Sequence, residues 1–171
     1  MRAMGPGSVS SILKTALDVV YVALIVGAVA ILLISLAAAV LGGEQLRTSG
    51  VFGAASTPMV IAGGLALALL AFGGLIVITQ SLRRVFATLT IGEPFQVDNV
   101  RRLRIIGFAL LALELLSYAA RAFAASVVPE DVERIDYWPN FTAWFAVLVV
   151  FVLAEVFREG ARLRREAELT I

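Results

Sequence analysis

The residues whose type and spacing could do chemistry lie in one apolar run, Ile105 to Ala125 (IIGFALLALELLSYAARAFAA): Glu114, Ser117, Tyr118 and Arg121. They fall at i, i+3, i+4 and i+7, which puts them on one face of a helix. The run is long enough to cross a bilayer. At about 1.5 Å rise per residue, Glu114 sits roughly 13 Å from Ile105, near the middle of a hydrocarbon core about 30 Å thick. A charged group there costs at least about 2.5 kcal/mol, so the carboxyl must be protonated, paired or turned toward a polar interior. Three arrangements meet that demand. Arg121 bends toward Glu114 with Tyr118 between them; or Glu114 binds a cation or the polar head of a ligand, or changes protonation; or the stripe meets a second subunit in a homo-oligomer.

Other chemistry is excluded by what the chain lacks. It has no cysteine and no histidine, which removes disulfides, thiol catalysis, the usual zinc and haem ligands and any histidine proton relay. No nucleophile–base pair and no metal-ligand spacing can be assembled from the apolar runs, so neither an enzyme nor a bound metal or cofactor is expected. The net charge is +1 and no basic stretch is interleaved with stacking aromatics. Direct nucleic-acid binding is therefore not expected either.

The elements that must position the stripe follow from composition. Of the 171 residues, 60% are hydrophobic and 16% charged, with a mean hydropathy of +0.95, whereas a soluble domain has about 45–50% and 25%. The expected fold is an all-α membrane protein, one four-helix transmembrane bundle over residues 1–171. Its spans cover about residues 16–41, 58–82, 105–125 and 139–157, and a charged helix follows at 158–168. The run after Met1 to Ser11 is too long for the apolar part of a signal peptide, so the first span is expected to stay in the protein. Gly42-Gly43 closes that span and Pro58 suits the first turn of the second. The pairs Gly63-Gly64 and Gly73-Gly74, with Ala62, Ala66 and Ala68, offer a smooth surface for close helix packing.

Arg83 to Arg104 (RRVFATLTIGEPFQVDNVRRLR) reads as an amphipathic interfacial segment between the second and third spans, with Gly92-Glu93-Pro94 as its turn. Asp98 or Asn99 is placed to cap a helix starting near Val100. Arginines gather at this segment and after the fourth span, while Arg47 and Arg134 are left on the opposite side. The positive-inside rule then puts both termini and the central loop in the cytoplasm. The loops at 42–57 and 127–140 would lie outside, the second being acidic and followed by an aromatic boundary of Tyr137, Trp138, Phe141 and Trp144. Asp18 and Tyr21 read as anchors of the first span. Two arrangements are open to Gln80, Glu155 and Glu159: an inner salt-bridge cluster that joins arginines of the central loop to the C-terminal helix, or solvated or lipid-facing charges. Arg83, Arg84, Arg101, Arg102, Arg104, Arg158 and Arg162 are the expected contacts to a cytoplasmic partner or to lipid headgroups.

Two signatures carry a family resemblance. Phe86-x-x-Leu89-x-x-Gly92-Glu93-Pro94-Phe95, followed by Asn99-x-x-Arg102-Leu103-Arg104-x-x-Gly107, resembles the centre of the YoaS-like four-helix bacterial membrane proteins of unknown function. Glu155-Val156-Phe157-x-x-Gly160-x-x-Leu163-x-x-Glu166, closing on Glu168-Leu169-Thr170-Ile171, is similar to that family's C-terminus. The resemblance implies a bacterial inner-membrane location and, in many genomes, a neighbouring gene for a small helix-turn-helix regulator. It implies no catalytic residue. The function expected is that of a regulatory or sensor membrane protein acting with such a partner; the alternative is a small oligomeric transporter or channel with Glu114 lining the path.

Overall fold

The computed structural model describes residues 9–41, 58–91, 95–127 and 140–169. Nearly all of them fall in four α-helices: α1 Val9–Leu41, α2 Pro58–Ile91, α3 Val97–Val127 and α4 Phe141–Leu169. Their 29 to 34 residues make rods roughly 44–51 Å long, well beyond the 30 Å or so of a hydrocarbon core. Each is long and apolar enough to cross a membrane. This is a multi-pass membrane protein built from helices.

The helices do not stop where their apolar runs stop. α2 continues past Leu82 to Ile91, and α3 starts at Val97, eight residues before its apolar run opens at Ile105. The stretch 83–104 is thus shared between the ends of two membrane helices. Its described residues do not form a separate interfacial element. The reason lies in the residues: no proline or glycine interrupts the chain between Leu82 and Gly92-Glu93-Pro94, which lie outside the described residues. α4 likewise runs unbroken from the membrane through Arg158 to Leu169. Glu155–Arg158, Glu159–Arg162 and Arg162–Glu166 pairs at helical spacing support that extension. At its start Asn140 is the cap, its Oδ1 accepting from the Ala143 amide at 3.2 Å. The connections 42–57 and 128–139, read above as outer loops, also lie outside the described residues.

Packing follows chain order. α1 packs on α2, α2 on α3 and α3 on α4, and among the described residues no other pair of helices packs together. The helices therefore form an open row in place of the expected bundle around a shared centre. Lipid removes the hydrophobic gain that closes such bundles in water, so helices meet where small residues let them approach. Each junction has such a notch. A Cβ added at Gly27 of α1 would come within 2.5 Å of the Phe72 ring, one at Gly74 of α2 within 2.7 Å of Leu113, and one at Gly107 of α3 within 2.9 Å of Phe151. Of the adjacent glycine pairs on α2, Gly63 and Gly74 receive a partner side chain, whereas Gly64 and Gly73 face open space.

The tightest packing lies at the arginine-rich end of the row. Leu103, Ile106 and Ala154 are buried there, and Ile78, Leu82, Leu110, Val150 and Phe157 close around them. Because Gly107 is buried beside this cluster, Gly107→Val is expected to cost about 1–3 kcal/mol by displacing Phe151. Gly73→Val, which meets nothing, should stay within about 0.5 kcal/mol of wild type. Unfolding in mild detergent, followed by circular dichroism, checks both.

Candidate functional site

The seam of α3 is a stripe with alternating steps of four and three: Leu103, Gly107, Leu110, Glu114, Ser117, Arg121. Such a stripe stays on one side of a helix over its whole length. The flanking contacts show which side. Towards α2, Leu113 meets Gly74 and Phe123 meets Gly63; towards α4, Phe151 meets Gly107 and the Trp144 indole N–H donates to the Tyr118 hydroxyl at 3.2 Å. The stripe follows the α4 contact line, with which it shares Gly107. Its first half is apolar and belongs to the core; its second half is polar.

Glu114 occupies the change from one to the other. It is 6% exposed, and its Oε1 is enclosed with no hydrogen-bond partner. The rest of the polar stripe is satisfied around it. Ser117 Oγ donates to the Glu114 main-chain carbonyl at 2.7 Å, and Arg121 Nη2 donates to Ser117 Oγ at 3.4 Å. The Arg121 guanidinium also lies over the Tyr118 ring, 5.2 Å from its centroid. Of the three arrangements open to the stripe, the Glu114–Arg121 pair does not form. Helical side chains lean towards the N-terminus, so Arg121 reaches one turn back, to Ser117 and Tyr118. Glu114 is seven residues away, about 10 Å along the axis, and leans further off.

A lone enclosed carboxyl oxygen can accept one further donor, such as a monovalent cation, an ammonium group or a hydroxyl. It is a poor start for a multidentate metal centre, since among the described residues no three His, Cys, Asp or Glu side chains gather.

The arginines expected to face a partner divide into distinct roles. Arg83 joins α2 to α1: its Nε lies 2.6 Å from Asp18 Oδ1 and its guanidinium 4.5 Å from the Tyr21 ring centroid. Asp18 and Tyr21 thus hold a neighbouring helix as well as marking a boundary. Arg84 is exposed and supplies its carbonyl to Arg102 Nη1 at 3.3 Å. Arg101, Arg104, Arg158 and Arg162 line one groove between the start of α3 and the end of α4. Glu155 and Glu159 pair along α4 with Arg158 and Arg162, so the inner ionic cluster across to the arginines of 83–104 is not made by these two acids.

One group was not anticipated. Asn99, read above as a possible helix cap, is fully buried inside the first turn of α3. Its Nδ2 donates to Thr88 Oγ1 of α2 at 2.6 Å, and its Oδ1 accepts from Arg102 Nη1 at 3.0 Å. Thr88 in turn donates to the Val85 carbonyl at 2.7 Å. These bonds tie α2 to α3 next to their connection. The signal was present in the sequence: Thr88 and Asn99 stand at nearly equal distances on either side of Gly92-Glu93-Pro94, as facing positions of a helical hairpin must.

Residues 45–171 match the model of a family described as protein of unknown function (DUF2975). The matched stretch takes in α2, α3 and α4 and leaves α1 outside it. No curated protein and no solved structure matches the chain.

Proposed function

The chain belongs to the DUF2975 family, whose function is unknown, and from that premise we propose that it is a non-enzymatic sensor of the bacterial inner membrane. Both termini lie in the cytoplasm, as the arginine-rich ends of α2, α3 and α4 favour. The Glu114 seam takes up a donor ligand or responds to the state of the bilayer. The extension of α4 past Phe157 holds or releases a cytoplasmic partner. The YoaS-like resemblance points to a small helix-turn-helix regulator as that partner.

One observation carries this reading. α3 is a single unbroken helix from Arg101, Arg102 and Arg104 to Glu114 and Arg121, so a shift at the seam is transmitted as a rigid displacement of the arginine-bearing turns. The test is co-purification of the neighbouring helix-turn-helix protein with the full chain. Removal of residues 158–171 should abolish recovery, and Glu114→Gln should change it at least about threefold, a modest coupling between two sites. Equal recovery from all three proteins would sink the proposal.

The unsatisfied Oε1 of Glu114 inside an open row favours a second reading, a small oligomeric transporter whose path is completed by another copy. Proton or sodium flux into liposomes that is lost on Glu114→Gln, with partner recovery unchanged, would select it.

A further inference from the structure

The arginine groove has features that the sensor reading does not use. It has a volume of about 630 Å³ and is lined by Val97, Val100, Arg101 and Arg104 of α3 and by Arg158, Glu159, Ala161, Arg162, Arg165, Glu166 and Leu169 of α4. Five arginines therefore face two glutamates. Arg158 is paired with Glu155, and Arg162 with Glu159 and Glu166. The side chains of Arg101, Arg104 and Arg165 make no ion pair or hydrogen bond with any described residue. Three free guanidinium groups thus line a groove that also presents valine, alanine and leucine.

We propose that this groove binds the phosphodiester headgroup of an anionic phospholipid. Depth decides between lipid and a cytosolic anion. Counting about 1.5 Å per residue from the ends of the apolar runs at Ile105 and Phe157, Arg104 and Arg158 lie about 1.5 Å beyond the hydrocarbon, Arg101 about 6 Å and Arg162 about 7.5 Å. The headgroup layer on each side of a bilayer is roughly 5–8 Å thick. Those four arginines are therefore level with the lipid phosphates, and Arg165 lies just outside them. Guanidinium suits phosphate because its planar fork donates two parallel hydrogen bonds to the anion. Since α3 forms one wall and α4 the other, a bound headgroup staples the start of α3 to the extension of α4. The inference needs the helices to cross the membrane but does not depend on the identity of any protein partner.

The full chain, purified in a neutral detergent, is titrated with phosphatidylglycerol and with phosphatidylcholine, and retained lipid is counted by native mass spectrometry. Wild type should retain phosphatidylglycerol about 10- to 30-fold better, the worth of two or so arginines at a membrane surface. Arg101→Gln with Arg104→Gln should bring the two lipids to parity. Arg84→Gln, which removes an exposed charge outside the groove, should leave the preference intact. If the double glutamine variant loses helicity, Arg101→Lys with Arg104→Lys replaces it and should keep a reduced preference. Parity in wild type, or equal loss with Arg84→Gln, would overturn the site. So would displacement of the lipid by inorganic phosphate at matched concentration, which marks a soluble anion, or by a polyglutamate peptide, which marks a protein surface.

Discussion

Asn99→Ala is expected to lower the unfolding free energy by about 2–4 kcal/mol, the largest loss from any polar side chain in the described protein. The side chain is fully buried and spans two bonds at once, to Thr88 Oγ1 and to the Arg102 guanidinium. Alanine deletes both and leaves a small void. Arg102 keeps its bond to the Arg84 carbonyl and a 3.9 Å approach to Asp98, which limits the damage on that side. Thr88→Val removes one of the two bonds and should cost about 1 kcal/mol. Combined with Asn99→Ala it should add less than its full effect, because the two residues share a bond. Detergent-based unfolding of the four proteins measures this. An alanine variant as stable as wild type would mean that these bonds do not hold the α2–α3 hairpin.

Glu114→Leu should act in the opposite direction, raising stability by about 1–3 kcal/mol. Leucine is of similar size and brings no carboxyl oxygen into an enclosed place without a donor. Arg121→Leu should cost about 0.5–1.5 kcal/mol through loss of the Tyr118 and Ser117 contacts. The two changes should be additive to within about 0.5 kcal/mol. A coupling above about 1 kcal/mol in this double-mutant cycle would reveal a pairing that the geometry does not contain. Under the sensor reading, the more stable Glu114→Leu protein is also the one that no longer responds.

The number of spans was legible because a bilayer leaves a plain mark on composition, one apolar run for each crossing. The ends of the helices were not. Hydropathy reports where lipid ends, while the backbone of Arg83 to Ile91 and of Val97 to Arg104 stays helical beyond it; only the charged helix after the fourth span was read correctly. The order of packing was hidden for a related reason. An apolar flank looks the same whether it meets lipid or a neighbouring helix, so nothing in the run of α1 says that among the described helices it meets α2 alone. The polar stripe itself was visible from the spacing 114, 117, 118 and 121. Its internal pairing stayed open among three arrangements, because spacing gives the face of a helix but not the direction in which a side chain leans. Asn99 was read as a cap because α3 was expected to begin near Val100. With the helix starting at Val97, the same amide becomes a bond between helices.

The attachment of α1 has a mechanical consequence. Described side-chain contacts hold it along its length, the Asp18–Arg83 ion pair, the Arg83 guanidinium over the Tyr21 ring and the seat of Phe72 at Gly27, with Asp18 and Gly27 about 13 Å apart along its axis. Among the described residues α1 packs on α2 and on no other helix, so any displacement of α1 is resisted at this one junction. A force on the first helix therefore reaches the Glu114 seam of α3 only by way of α2.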